Sequence, residues 1–201
     1  MSLQVKFPGK EVNLHLPEHT DRVSFEAFCA ENPDLLIERE PDGTTTIMTP
    51  VNLRSGNFES NFIADLTIWA RNEGGGEAYS SSTGFTLPDG SIRSPDAAWL
   101  SEERLSQIPD EELDHFTEIV PDFIIEVKSK SDSLSALKKK MQERWIANGV
   151  RLAWLVLPQV EEVHIYRGDG SHHTCHGFDQ EINGEDVLPG FVFDLRVLKR
   201  R

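Results

Sequence analysis

Pro121-Asp122-Phe123-Ile124-Ile125-Glu126-Val127-Lys128 is the stretch from which the rest of the chain is read. Its β-branched and aromatic residues fit a short buried strand. Side chains along a strand alternate between faces, so Asp122, Ile124, Glu126 and Lys128 share one face and Phe123, Ile125 and Val127 the other. A carboxylate and an amine at the end of an apolar strand are costly to desolvate unless they pair or bind something. A plain ion pair is the ordinary explanation of an acid-x-Lys triplet. Its neighbours in the chain decide whether more is at work.

Upstream, Ser94-Pro95-Asp96-Ala97-Ala98-Trp99 puts a carboxylate at the start of a second strand with small neighbours. Hairpin-like pairing of the two strands would bring Asp96 to Glu126. Two carboxylates plus water form a hard-oxygen site suited to Mg²⁺, with Mn²⁺ as a substitute. Phosphodiester hydrolysis uses such an ion. In that reading Asp96 and Glu126 hold the metal, and Lys128 orients the attacking water and stabilises the developing charge.

Downstream, Leu134 to Asn148 reads as a helix that stops at Gly149. Leu134, Leu137, Met141, Trp145 and Asn148 form its buried stripe at 3.6-residue spacing. Lys138 and Gln142 border the stripe on one side, Lys140 and Arg144 on the other. A border residue can reach the catalytic face, which makes Gln142 a candidate fourth member of the site; ordinary boundary residues with snorkelling stems are the equal alternative. The formal charge of the whole chain is −14, yet residues 128–151 carry seven basic side chains against Asp132 and Glu143. The overall charge argues against a protein that coats nucleic acid. A local basic strip, with Lys130, Lys138 and Lys140 as its DNA-facing candidates, could still receive a polyanion, although a solvated helix face is the ordinary explanation of such a run taken alone.

The remaining pattern supplies the scaffold. Asp21 to Asn32 reads as a helix with Ser24 as candidate N-cap. Leu35 to Arg39 and Thr44 to Met48 read as a hairpin around Pro41-Asp42-Gly43. Asn57 to Arg71 is a longer helix with Phe58, Phe62, Leu66 and Trp69 on one side. Phe85 to Leu87 and Ile92 to Trp99 form a second hairpin through Pro88-Asp89-Gly90. Residues 101–118 are polar with helical spacing, interrupted at Pro109. Leu152 to Leu157 and Val163 to Arg167 are strands, and Gly190 to Leu198 a last strand or edge segment. With no repeat and no low-complexity linker, residues 1–201 read as one domain with a core over about 20–198. The element order predicts an α/β (α+β) architecture, a mixed β-sheet flanked by helices.

Other chemistries are poorly supported. His172-His173-Thr174-Cys175-His176 follows a Gly168-Asp169-Gly170 turn and reads as an exposed hairpin tip rather than a zinc site, since alternation scatters its side chains. Ser80-Ser81-Ser82-Thr83 lacks a nucleophile elbow, and Gly74-Gly75-Gly76 lacks the Lys-Ser/Thr of a phosphate loop. No apolar run reaches a membrane span, so no membrane partner is expected. Met1 to Lys10 has no apolar core of the signal-peptide kind. Cys29 and Cys175 alone make no disulfide framework, which suggests a reducing, cytoplasmic setting.

At this point the chain resembles the bacterial Uma family of restriction-endonuclease-like proteins, within the PD-(D/E)xK superfamily. The resemblance is carried by Ser82-Thr83-Gly84-Phe85, by Gly90-Ser91-Ile92-Arg93-Ser94-Pro95-Asp96-Ala97-Ala98-Trp99, by Pro121-Asp122-Phe123 through Glu126, and by Ser131-Asp132-Ser133-Leu134. Asn148-Gly149-Val150-Arg151-Leu152 with Trp154-Leu155, and Leu188-Pro189-Gly190-Phe191, continue it. It implies a restriction-endonuclease-like core, Mg²⁺-dependent cleavage of double-stranded DNA, and a homodimer. By residue it implies Asp96, Glu126 and Lys128, with Glu38 as an acidic position from the first helix-strand unit. The rival expectation, motivated by the net charge, is a catalytically silent nucleic-acid or protein binding module on the same fold.

Overall fold

The computed structural model describes residues 12–15 and 21–199. In chain order its regular elements are β1 (Val12–His15), α1 (Arg22–Glu31), β2 (Leu36–Arg39), β3 (Thr44–Met48), α2 (Leu53–Trp69), β4 (Glu77–Ser80), β5 (Phe85–Thr86), β6 (Ile92–Arg93) and β7 (Ala97–Leu100). There follow α3 (Glu102–Leu105), β8 (Phe123–Val127), α4 (Leu134–Lys140), β9 (Leu152–Leu157), β10 (Glu162–Arg167), β11 (His172–His176), β12 (Glu181–Gly184) and β13 (Leu188–Asp194). Among the described residues, the large sheet runs β11-β10-β9-β8-β7-β4, and a smaller one runs β1-β3-β2-β6-β5. Only β8 and β9 are parallel in the large sheet. The sheet is mixed and flanked by helices, as the element order predicts.

Alternation sorts the large sheet cleanly. Phe123, Ile125 and Val127 pack with Trp154, the α2 stripe Phe58, Phe62, Leu66 and Trp69, and β13. Phe62 stacks on Phe193 at 4.2 Å between ring centroids. Ile124 faces the other way, with Ala98, Leu155, Met141 and Trp145. The central strands are therefore apolar on both faces, and α2 and α4 cover opposite sides.

Several local expectations are corrected. Asp21, not Ser24, caps α1; its carboxylate accepts from the Ser24 N–H. Asn52 caps α2, which begins at Leu53, four residues before the expected start at Asn57; its first turn carries none of the buried stripe, which begins at Phe58. The strand expected over Ile92 to Trp99 is two strands in different sheets, broken at Ser94-Pro95-Asp96. Pro95 lacks the N–H that a continuous ladder would need. Residues 101–118 hold one turn of helix and a short 3₁₀ segment at Asp110–Glu112. The helix after β8 runs as α-helix to Lys140, then as a π-turn over Met141–Trp145 and a 3₁₀ turn to Asn148. It ends at Gly149, whose φ of +104° suits glycine. His172–His176 is a paired edge strand rather than a hairpin tip.

Candidate active site

β7 and β8 are antiparallel, with Ala97 opposite Ile125 and Ala98 opposite Ile124. Continued by one residue, this register sets Asp96 against Glu126. The contact is real: Asp96 Oδ2 accepts from the Val127 N–H at 2.6 Å. Ser94-Pro95 is the link that carries the chain from β6 in the small sheet to β7 in the large one. The site therefore forms where the two sheets meet.

Glu126 is buried, on the α4 side of β8. Its Oε1 takes two bonds, from the Trp145 indole N–H at 2.8 Å and from Lys140 Nζ at 2.8 Å. Lys140 also lies 3.5 Å from Glu38 Oε1. Glu38 is buried at 4% exposure on β2. Its Oε2 accepts from Arg93 Nη1 at 3.0 Å and its Oε1 from the Ser94 N–H at 3.1 Å. Arg93 bridges onward to Glu40 at 2.5 Å, which in turn meets Arg144 of the π-turn at 3.3 Å. One ammonium thus joins the small sheet, the large sheet and the helix.

The electrostatics of the two sides differ. Burial pushes the Glu38 carboxyl up, but Lys140, Arg93 and the Ser94 N–H outweigh it and hold it below the ordinary carboxylate range. Burial alone would lower the Lys140 ammonium; Glu126 and Glu38 raise it above the ordinary lysine value. Asp96 goes the opposite way. Burial, the Glu126 carboxylate and Glu59 raise it well above its usual value, against the Val127 N–H and Lys140. Glu59 itself, on α2, is raised by burial. Among the described residues Asp96 Oδ1 and Glu126 Oε2 take no hydrogen bond. The Asp96–Glu126 pair is short of positive charge.

Such a pair fits a small divalent cation. Mg²⁺ is commonly held by one or two carboxylates, keeping several waters for the rest of its shell. The described residues hold no group of three or more His, Cys, Asp or Glu side chains arranged for a metal. Asp96 and Glu126 would be the protein's two donors, as hard oxygens.

The predicted residues fall into three groups. Asp96, Glu126 and Glu38 converge. Lys128 stands beyond the end of β8, and its Nζ donates to the Ser129 carbonyl at 2.7 Å rather than to either carboxylate. Gln142 is exposed, with no hydrogen bond to the site. Of the DNA-facing candidates, Lys130 is exposed and Lys138 half-buried. Lys140 is turned inward, a correction to its surface placement: the helix presents the Lys140–Arg144 border to the site, not the Lys138–Gln142 border. Arg144 and Arg151 are likewise engaged with carboxylates, so the basic strip is partly spent inside the fold. Arg93, Glu59 and the indole N–H of Trp145 went unpredicted. Arg93 was signalled by a charge wedged between Ile92 and Ser94-Pro95, and Glu59 by its place beside Phe58 of the α2 stripe.

Comparison with known proteins gives a family match and a likeness to a solved structure. Residues 22–196 match the Uma2 family, described as "Putative restriction endonuclease". The fold is similar to a crystal structure described as a "putative nuclease belonging to DUF820" from Anabaena variabilis ATCC 29413. The TM-score is 0.66 at 18% identity, covering 81% of this chain and 88% of that one. No curated protein matches the chain.

Proposed function

Since the chain belongs to the Uma2 family, we propose that it is a Mg²⁺-dependent nuclease that hydrolyses phosphodiester bonds in double-stranded DNA, with Asp96 and Glu126 as the metal's ligands and Lys140 as the site's amine. The observation that carries this reading is the cross-strand carboxylate pair with raised proton affinity on Asp96 and a single ammonium beside it. A bound divalent ion would supply Lewis-acid stabilisation of the phosphate and a more acidic water.

The chain's own groups do the rest. The Val127 N–H fixes Asp96 Oδ2 and leaves Oδ1 as the oxygen for the ligand. Trp145 and Lys140 fix Glu126 Oε1 in the same way and leave Oε2 to the ligand. Holding these oxygens before substrate arrives removes reorganisation from the chemical step. Lys140 stays protonated across the neutral range and stands ready to steady negative charge at the phosphate. Lys128 is the alternative amine, named by the acid-x-Lys spacing; it would have to leave the Ser129 carbonyl. Lys130 and Lys138 are the remaining candidates for backbone contact, and a second copy of the chain would allow both strands to be cut.

The test is nicking of a supercoiled plasmid by purified protein with Mg²⁺ or Mn²⁺, with and without a chelator. Wild type should nick only with metal, and Glu126→Gln should not. Equal nicking by both proteins would trace the activity to a contaminant and defeat the assignment. A folded wild type that binds DNA without cutting it would favour the silent binding module.

A further inference from the structure

The same ammonium that serves the site also stands in the way of its metal. Lys140 Nζ lies 2.8 Å from Glu126 Oε1. A divalent ion on Glu126 would bring two more positive charges to that carboxylate. Like charges held this close, away from bulk water, repel strongly. Lys140 has somewhere to go. Glu38 Oε1 is 3.5 Å from the same Nζ, buried, and ionised. It belongs to the small sheet and is anchored there by the Arg93 guanidinium and the Ser94 N–H. Arg93 is itself tied to Glu40. A movement of the ammonium by about an ångström, within the freedom of a lysine stem, would exchange the shorter contact for the longer one.

We infer that Glu38 is a positioning residue that receives Lys140 when a divalent cation occupies Glu126, so that Lys140 competes with the metal and Glu38 relieves the competition. This rests on the proposed reading of Asp96 and Glu126 as ligands. It gives Glu38 a role different from a metal ligand: it acts through Lys140 alone. Glu38 Oε2 is taken by Arg93 and Oε1 by the Ser94 N–H, which fits a fixed counter-ion better than an exchangeable donor.

The experiment is calorimetric titration of the full chain with Mn²⁺ alone, with folding of each variant followed by circular dichroism. Wild type should show a saturable site that Asp96→Asn removes. Lys140→Met should bind Mn²⁺ more tightly than wild type, on the order of tenfold or more for the charge removed. Glu38→Gln should bind it more weakly by a factor of several. In the Lys140→Met background, Glu38→Gln should have no further effect, because the residue it serves is gone. Weaker binding by Glu38→Gln in that background would make Glu38 a ligand and overturn the inference. Mn²⁺ affinity of Lys140→Met equal to or below that of wild type would also overturn it, and this arm stands even if Glu38→Gln fails to fold. No saturable Mn²⁺ site in folded wild type would overturn the metal reading itself, and this inference with it. A site lost in Asp96→Asn but indifferent to Lys140→Met would overturn the inference alone.

Discussion

The two ends of β8 each carry a buried carboxylate on the same face, four residues apart, and they are treated in opposite ways. At the near end Asp122, 1% exposed, is fully answered. It accepts from the Ser101 N–H at 2.9 Å, from Arg104 Nε at 3.1 Å and from Arg151 Nη1 at 3.3 Å. Two guanidiniums and a backbone donor around one carboxylate make a pin between α3, β8 and the start of β9. At the far end Glu126 and Asp96 share one ammonium, and Asp96 is left with a raised proton affinity. Both Asp96 and Asp122 follow a proline. Their sequence signatures match; the balance of charge around them does not. A buried carboxylate with its charge matched belongs to the fold, and one left short of positive charge is a place for a cation.

Substitutions can break or sharpen that contrast. The largest effect is expected at the far end. Glu126→Gln should reduce Mg²⁺-dependent nicking about a thousandfold or more while the protein melts as a folded chain; retained nicking would remove Glu126 from the chemistry. Next comes Lys140→Met, which should cost about a hundredfold in cleavage rate, while Lys128→Met should cost less than about tenfold. The reverse order in a single-turnover assay would return the amine's role to the acid-x-Lys position. At the near end Asp122→Ala should cost stability instead, about 2–4 kcal/mol by urea unfolding, since it takes the carboxylate from Arg104, Arg151 and the Ser101 N–H. Its cleavage per folded molecule should equal wild type. The smallest effect is at the start of α2: Asn52→Ala removes the helix cap and should cost about 1 kcal/mol.

Much of this geometry was legible in the sequence, for identifiable reasons. Strand alternation placed Glu126 opposite the Phe123–Ile125–Val127 face, because a strand buried on both sides cannot slip register without exposing its apolar set. Spacing brought Asp96 to Glu126. The amine was harder. Lys128 and Lys140 are both compatible with the pattern, and the two borders of the α4 stripe are equivalent by periodicity alone. What turns Lys140 to Glu126 and leaves Gln142 in solvent is tertiary: the small sheet docks Glu38 and Glu40 against the Lys140–Arg144 border. Helix pattern also hides the π-turn at Met141–Trp145, which carries the Trp145 indole to Glu126. The break at Pro95, by contrast, was signalled, since proline has no place inside a paired ladder.

The most direct test of the far-end imbalance is thermal unfolding of wild type and Asp96→Asn, each with and without Mn²⁺. Burial and Glu126 raise Asp96 above its unfolded value, so the native state gives up stability as pH rises through the native value and Asp96 ionises. At pH 8 the metal-free Asp96→Asn variant should therefore melt a few degrees above metal-free wild type, and the gain should fade at acid pH where Asp96 is protonated. Mn²⁺ should raise the melting temperature of wild type and leave Asp96→Asn unchanged. An Asp96→Asn variant that melts below wild type at pH 8, together with a wild type that ignores Mn²⁺, would contradict the account.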